Sequence, residues 1–244
     1  MASQTCMPRI LPVADQALLV EFGDEIDVAV NRRVASLARL LQARPPAGVS
    51  QVVPSYRSVL VGYDPCVVRA AALREQLQML AGQLGDAPAR VRRWRIPVVY
   101  GGEHGIDLDE VARLHGISAD EVARIHAATR YRVFMIGFMP GLAYLGELDA
   151  RLHTPRRATP RALTPAGSVN IGGAQTLISS VAAPSGWHLI GSTPARAFDP
   201  DRAEPFLFQQ GDEIVFERLD TARYAECQRD AAVPGWTPPW EWTE

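Results

Sequence analysis

The sequence contains no lysine, and all 25 of its basic residues are arginine. This absence excludes a Walker A lysine, a Schiff-base lysine and an attached biotin or lipoyl group on this chain. Recognition of phosphate or carboxylate groups must therefore depend on arginine, whose planar guanidinium can form two parallel hydrogen bonds with such groups.

Cysteine and long apolar runs are also scarce. The three cysteines, Cys6, Cys66 and Cys227, do not have the spacing of metal ligands. We therefore predict reduced thiols in a cytoplasmic protein rather than a disulfide or a zinc site. No apolar run reaches the roughly 20 residues that a membrane helix needs, and the first residues lack the apolar centre of a signal peptide.

The charge balance excludes a further class of partners. A net charge of −2, with 21% charged residues, gives no general attraction to nucleic acid or to an anionic membrane. The 244 residues are enough for one large or two small domains with a buried core.

The pattern of apolar and turn residues predicts an α+β protein with two domains. Residues 8–88 follow the order β-β-α-β-β-α, with Asp27 capping the first helix, which predicts a small N-terminal α/β sandwich. Residues 93–222 contain short apolar runs separated by glycine and proline, which indicates a β-barrel or β-sandwich. Between them, residues 86–92 are expected to be a linker. Residues 223–244 form a Pro/Trp-rich C-terminal tail, which either folds over an apolar patch of its own chain or binds a partner.

A short internal repeat, DEVARLH followed by DEVARIH, predicts two helices joined by HGIS. Asp107 with Glu110, and Ser118 with Glu121, have the spacing of capping boxes. The pair resembles a DNA-binding helix-turn-helix. However, Asp120 and Glu121 begin the second helix, where their charge would repel phosphates, so we reject DNA binding.

Histidine offers a candidate acid/base group but no metal site. His104, His115 and His126 are eleven residues apart, which is not a chelating spacing, and we predict no metal. His126 ends the second helix of the repeat, just before an apolar strand at 131–138. It is either a hydrogen-bonded structural histidine or an acid/base group that lines a site.

The segment 155–165 interleaves prolines and arginines. Prolines recur at every fifth position, as Pro155, Pro160 and Pro165, and the arginines beside them are Arg156, Arg157 and Arg161. Proline holds the chain extended and removes backbone donors, so side chains must recognise any ligand here.

A glycine-rich segment follows at once. It supplies a hydroxyl at Ser168, amides at Asn170 and Gln175, and a bare backbone at Gly172 and Gly173. Together with the arginines, these groups suit a small anionic or amide-containing ligand. An arginine-rich surface loop that pairs with local carboxylates explains the same residues equally well.

The central motifs also resemble those of a known family. GFMPGLAYLGELD, PRRATPR, PAGSVNIGG, PSGWHLIGSTP and QQGDEIVF are similar to the first subunit of the allophanate hydrolase family. That family includes the B subunit of bacterial 5-oxoprolinase, the kinase inhibitor KipI and one half of the carboxyltransferase part of urea carboxylase (subdomains C and D). The resemblance extends nearly end to end and implies a small α/β domain followed by a cyclophilin-like β-barrel.

The function implied by the resemblance is that of an enzyme subunit. The chain would join a homologous second subunit and a lactam-utilisation protein, and the complex would open 5-oxo-L-proline to L-glutamate. ATP would bind at a subunit interface, and the isolated chain would be inactive. The alternatives are a KipI-like inhibitor of a sensor histidine kinase, and a carboxyltransferase of the urea carboxylase or allophanate hydrolase type that receives biotin on another chain.

The predicted site combines the resemblance with the loop chemistry. The residues expected to act in catalysis are Arg157, Arg161, Ser168 and His126. Those expected to bind substrate are Phe138, Tyr144, Arg156, Asn170, Gln175 and Trp187. We expect at least one arginine of the loop to point into a cleft of the barrel, near Ser168 and Gln175.

The chain departs from the family's usual pattern in three places. Leu142 stands where an aromatic is usual, Ser185 stands where PGGW has its first glycine, and Ser179 with Ser180 replaces Tyr-Pro. The loss of two aromatics near the expected cleft leaves the identity of the substrate open but not the fold.

Overall fold

The computed structural model describes residues 7–84 and 90–243. The chain divides into two compact units, Met1–Ala89 and Arg90–Glu244. Cys6 and most of the expected linker at 86–92 lie outside the described residues.

The first unit has the predicted element order. Its strands are β1 (Arg9–Val13), β2 (Ala17–Glu21), β3 (Val49–Pro54) and β4 (Ser58–Tyr63), and its helices are α1 (Val28–Ala43) and α2 (Ala70–Gly82). The strands form one antiparallel sheet in the order β1-β2-β4-β3. Asp27 caps α1 as predicted, because its Oδ1 accepts hydrogen bonds from the backbone N–H groups of Ala29 and Val30. The core of this unit joins the two helices to one face of the sheet, through residues such as Leu18, Leu37 and Leu77.

The second unit contains the barrel. Its strands are β5 (Arg92–Tyr100), β6 (Arg130–Ile136), β7 (Ala143–Gly146), β8 (Arg161–Thr164), β9 (Ser168–Gly172), β10 (Gln175–Ile178), β11 (Ala183–Ser185), β12 (His188–Ser192), β13 (Glu213–Arg218) and β14 (Trp240–Trp242). Its helices are α3 (Leu108–His115), α4 (Ala119–Ala128) and α5 (Thr221–Ala231).

Within the described residues, seven strands of this unit close into a ring. The order is β12-β9-β10-β7-β6-β13-β5, and β5 pairs again with β12. Strands β13 and β5 are parallel, and the other pairs are antiparallel. β8 and β11 form a separate two-stranded ribbon. The predicted fold class, a small α/β sandwich followed by a cyclophilin-like barrel, is confirmed.

The helix pair that resembles a DNA-binding motif packs on the barrel instead. Leu108, Val111, Val122 and Ile125 are buried in the same core cluster as the barrel strands. Ser118 caps α4 by accepting a hydrogen bond from the backbone N–H of Glu121, as predicted. The apolar faces of both helices are therefore used by the fold.

The C-terminal residues add structure to the second unit. Asp220 caps α5, and β14 pairs antiparallel with the first residues of β5. Trp240 packs on Trp94, with ring centroids 5.9 Å apart. The C-terminal segment thus folds back on its own chain, which is the first of the two alternatives for this segment. None of the described helices is long and apolar enough to span a membrane.

Candidate functional site

A cleft of 340 Å³ opens on the wall of the barrel beside β7 and β10. Its lining brings together four of the predicted substrate-binding residues, which come from distant parts of the sequence: Phe138, Tyr144, Arg156 and Trp187. Leu142, Leu177 and Trp187 form a small apolar cluster here, separate from the barrel core. The volume is at the lower end of the roughly 300–1,000 Å³ of ligand pockets, and the lining is largely apolar with a few polar groups.

Arg156 supplies the positive charge of this cleft. Its guanidinium carbon lies 5.4 Å from the ring centroid of Trp187, which allows a cation–π interaction. Among the described residues, no carboxylate lies within the 4.0 Å of an ion pair with Arg156. The guanidinium therefore keeps its hydrogen-bonding edge for an anionic group.

Tyr144 and Trp187 form the aromatic part of the cleft. Their rings meet edge to face, with centroids 6.2 Å apart. Burial raises the pKa of Tyr144 above its ordinary value, and the charge of Arg156 lowers it by a smaller amount. The phenol is therefore neutral at physiological pH. Gly172 makes room for the indole, because a Cβ at this position would lie 2.8 Å from the Trp187 ring.

Phe138 lies at the mouth of the cleft in an unusual conformation. Its φ is +67° and the residue is 81% exposed. A left-handed conformation costs a residue other than glycine about 1–2 kcal/mol, and strain of this kind is concentrated at functional sites. The turn is closed by a backbone hydrogen bond from Gly137 N–H to the carbonyl of Leu142. It holds the aromatic ring where it can contact a ligand in the cleft.

Arg157 and Arg161 lie outside the cleft lining and bind carboxylates. Nη1 of Arg157 is 3.0 Å from Oδ1 of Asp107 and 3.1 Å from Oε2 of Glu110. Nη2 of Arg161 is 2.8 Å and 3.1 Å from the two oxygens of Asp107. Both arginines are therefore engaged in the carboxylate pairing that the sequence left open as an alternative to ligand binding.

Asp107 is the centre of this cluster, and the predicted capping box of Asp107 with Glu110 is wrong. Its carboxylate makes no capping hydrogen bond to α3. It accepts instead from both arginines and from the backbone N–H of Leu189 at 2.7 Å. The proline loop is thereby anchored to the start of α3 and to β12, which fixes the position of Arg156 at the cleft.

His126 is buried inside the barrel and does not line the cleft. Thr176 Oγ1 donates its proton to the carbonyl of Asn170, so Nε2 of His126 must be the donor in its 2.9 Å contact with Thr176. Nδ1 then accepts from the Tyr100 hydroxyl at 2.8 Å. Burial lowers the pKa of His126 to about 3 and raises the pKa of Tyr100 well above its usual value. The structure places His126 in the structural role, because both ring nitrogens are used internally.

The remaining predicted residues also lie outside the cleft lining. Ser168 Oγ donates to the carbonyl of Pro165 at 2.8 Å, which fastens the turn before β9. Asn170 is fully buried, and Gln175 begins β10 opposite Gly172. The expectation that a loop arginine points into a cleft agrees with the position of Arg156. The expected neighbours, Ser168 and Gln175, are not part of that cleft.

Sequence reasoning missed two hydroxyls that line the cleft, Ser179 and Ser185. In the sequence both stand out only as departures from a family pattern. Each of the three departures places one residue in the lining of this cleft, namely Leu142, Ser179 and Ser185, whereas Ser180 does not line it. That convergence depends on the pairing of strands distant in sequence, and no local signal indicates it.

A second, larger cavity of 630 Å³ lies between the loop 196–207 and the C-terminal segment 231–240. Its lining mixes three arginines with three acidic residues and includes none of the predicted site residues. Among the described residues, no group of three or more histidine, cysteine, aspartate or glutamate side chains is arranged to hold a metal ion.

Known proteins are similar to this chain in sequence and in architecture. The family described as "Carboxyltransferase domain, subdomain C and D" matches residues 8–208. The chain is 39% identical to the 5-oxoprolinase B subunit of Haemophilus influenzae over 208 residues, which cover 85% of this chain and 96% of that protein. It is 36% identical to the 5-oxoprolinase B subunit of Bacillus subtilis over 227 residues, which cover 88% of this chain and 95% of that protein.

Solved structures agree with this comparison. TTHA0988 is 34% identical, with a TM-score of 0.75 over 84% of this chain; the chain spans 40% of that longer protein. Urea carboxylase of Kluyveromyces lactis has a TM-score of 0.75 over 97% of this chain and 24% of its own, but only 19% identity. The second likeness shows a shared fold alone. The resemblance inferred from the motifs is confirmed by the match to the family.

Proposed function

Since this chain belongs to the family of carboxyltransferase domains, subdomains C and D, we propose that it is the B subunit of an ATP-dependent 5-oxoprolinase. The complex would open 5-oxo-L-proline to L-glutamate. The observation that carries this proposal is the identity of 36–39% to two proteins named as 5-oxoprolinase B subunits, across 95–96% of their length. The carboxyltransferase alternative is not favoured, because the likeness to urea carboxylase extends to the fold only.

The cleft beside Trp187 is the part of the site that this chain would contribute. 5-Oxoproline is a small acid with a carboxylate, a lactam carbonyl and an apolar ring. The guanidinium of Arg156 suits the carboxylate, and the Trp187 and Tyr144 rings offer apolar surface to the ring of the ligand. Among the described residues, no aspartate or glutamate lines the cleft, so none of them opposes the anion there. This chain would bind and orient the lactam acid.

In this proposal, ATP and the other subunits supply the groups that activate and hydrolyse the lactam. An unstrained lactam resists hydrolysis, and ATP provides the phosphoryl group that turns the lactam oxygen into a leaving group. This chain has no Walker A lysine, so we place ATP at an interface with the homologous second subunit or the lactam-utilisation protein. A site shared in this way leaves the isolated chain unable to align the reacting groups.

Several residues take different roles in this proposal from those expected of them in the sequence. Arg157 and Arg161 would hold the loop through Asp107 rather than contact the reacting atoms. His126 would stabilise the barrel, because its buried, neutral ring is hydrogen-bonded on both sides. The residues proposed to contact substrate are Arg156, Trp187, Tyr144 and Phe138.

Reconstitution tests this function. We would purify the chain alone, and with the homologous second subunit and the lactam-utilisation protein, and measure ATP-dependent release of glutamate from 5-oxoproline. We expect turnover from the complete set only, and its loss when this chain is omitted. Full turnover by the isolated chain would contradict the role of a subunit.

An inactive complete set would contradict the oxoprolinase proposal itself. In that case the chain would be added to the autophosphorylation reaction of a sensor histidine kinase. Inhibition there would support the KipI-like alternative instead.

A further inference from the structure

We propose that the hydroxyl of Ser179 donates a hydrogen bond to a carbonyl oxygen of the ligand and so selects acids that carry a carbonyl group beside the carboxylate bound by Arg156. The inference deepens the proposed function and depends on it for the identity of the substrate. It assigns a specificity role to a residue that the sequence motifs did not indicate.

The oxygen of Ser179 is already occupied as an acceptor. Ser179 follows β10 and lines the cleft. Its Oγ accepts a hydrogen bond of 3.1 Å from Nδ2 of Asn170. The same Nδ2 donates to the carbonyl of Ser168 at 2.9 Å. Because a carbonyl oxygen can only accept, this contact fixes which end of the Asn170 amide faces the two serines.

The proton of Ser179 is consequently left for the cleft. A hydroxyl has one proton to donate, and no described residue accepts it within 3.5 Å. Asn170 is fully buried in β9, so the donor that holds Ser179 Oγ is rigid. The buried amide therefore turns the hydroxyl into a directed donor on the cleft wall.

Ser185 adds a second hydroxyl of the same kind. Its Oγ accepts from the backbone N–H of Trp187 at 3.2 Å, and Ser185 lines the same cleft. The described residues of the lining thus include the cationic donor Arg156 and the neutral hydroxyls of Ser179, Ser185 and Tyr144, without a carboxylate among them. This donor-rich set fits a ligand whose polar atoms are acceptors, namely a carboxylate and an amide carbonyl.

Ser180 provides a matched control next to Ser179 in the chain. Its Oγ is buried, makes no hydrogen bond to the described residues, and is not part of the cleft lining. Removing either hydroxyl changes the same number of atoms at adjacent positions. Only the change at position 179 removes a group that faces the ligand.

Direct binding to the full chain tests the inference. Isothermal titration calorimetry would compare 5-oxoproline with cyclopentanecarboxylate, an acid with a five-membered ring that lacks the lactam. We expect Ser179→Ala to weaken 5-oxoproline binding about three- to tenfold, the range for one neutral hydrogen bond. Binding of cyclopentanecarboxylate should be unchanged. Ser180→Ala should leave both affinities unchanged.

The outcomes separate this inference from the proposed function. If Ser179→Ala weakened both ligands equally, or neither, or if the wild-type chain bound neither ligand, the selective role of Ser179 would be wrong. Turnover by the complete complex of wild-type subunits decides the proposed function independently of these results. Thermal unfolding of each variant establishes that the fold is retained.

Discussion

Arg156 and Arg157 are neighbours in one proline-rich loop, yet they serve two regions with opposite electrostatics. Around Asp107, whose side chain is only 6% exposed, Arg157 and Arg161 meet two carboxylates, those of Asp107 and Glu110, and the charges balance. Beside Trp187, Arg156 faces a cleft in whose lining the structure describes no carboxylate. The comparison teaches that the pairing of an arginine, rather than its position in a motif, separates a structural role from a binding role.

In the barrel interior, as around Asp107, polar side chains bind one another. His126 uses both ring nitrogens within a chain of hydrogen bonds from Tyr100 to Thr176. In the cleft, by contrast, the hydroxyl protons of Ser179 and Ser185 have no acceptor among the described residues. Polar groups that satisfy one another stabilise the fold, whereas donors directed into a cavity are available to a ligand.

The largest expected effect comes from breaking the Asp107 cluster. Asp107→Ala leaves two partly buried guanidinium groups without their shared carboxylate and removes the acceptor of the Leu189 N–H. Breaking a buried ion pair in this way costs about 3–5 kcal/mol of unfolding free energy. Chemical denaturation of the wild type and the variant measures the loss.

Glu110→Ala is the control for this prediction. The Glu110 side chain binds the same Arg157 but is 44% exposed, so its removal should cost no more than about 1 kcal/mol. Similar losses from both variants would show that Asp107 is not the anchor of the loop.

The second prediction concerns the pH dependence of stability. The pKa of His126 is about 3 in the folded state, against an ordinary value of 6.5, because burial disfavours the charged ring. Between these values the unfolded chain binds the extra proton, so the unfolding free energy falls as the pH falls. One such group contributes a slope of about 1.4 kcal/mol per pH unit.

We expect His126→Gln to remove this contribution to the pH dependence of the unfolding free energy. Urea unfolding of the wild type and the variant, at a series of pH values from 6.5 downward, measures the difference. The carboxyl of Asp149, whose pKa is lowered to about 2 by hydrogen bonds from Arg151, also loses stability on acidification. That contribution is present in both proteins and cancels in the comparison. An unchanged pH profile in the variant would mean that His126 is accessible to protons in the folded state.

The third prediction separates the two neighbouring arginines. Arg156→Ala should weaken binding of 5-oxoproline by about 1.5–3 kcal/mol, the range for hydrogen bonds to a charged group, with little change in stability. Arg157→Lys should do the reverse, since a lysine keeps the charge but its nitrogen stands one bond short of Nη1, the atom that reaches both Asp107 and Glu110. Calorimetric binding and denaturant unfolding on both variants provide the two measurements.

A weaker affinity in Arg157→Lys, without a loss of stability, would return the ligand-binding role to Arg157. It would also indicate that the loop rearranges when the ligand binds.

The N-terminal unit was predictable because its signals are local. The Asp27 cap and the apolar face of α1 specify a helix whatever surrounds it. Helix α5 was missed because its sequence gives little apolar periodicity: Tyr224 is its one buried residue, and the Asp220 cap is the main indication. In the candidate site, Phe138, Tyr144, Arg156 and Trp187 were predicted to bind substrate and do line one cleft. Asn170 and Gln175, which were predicted to bind substrate with them, and Ser168, which was predicted to act in catalysis, lie outside its lining.

The sequence by itself determined the order of helices and strands in the N-terminal unit, the family, and the dependence on arginine for any anion recognition. These properties follow from periodicity, motif spacing and the absence of lysine, which need no knowledge of distant contacts. The tertiary structure decided which arginine is available and which hydroxyls face the ligand. The docking of the proline loop on α3 brings Asp107 to Arg157 across 50 residues, and the pairing of β9 with β10 brings Asn170 to Ser179. Which donor pairs with which acceptor depends on these tertiary contacts, so the sequence alone does not give it.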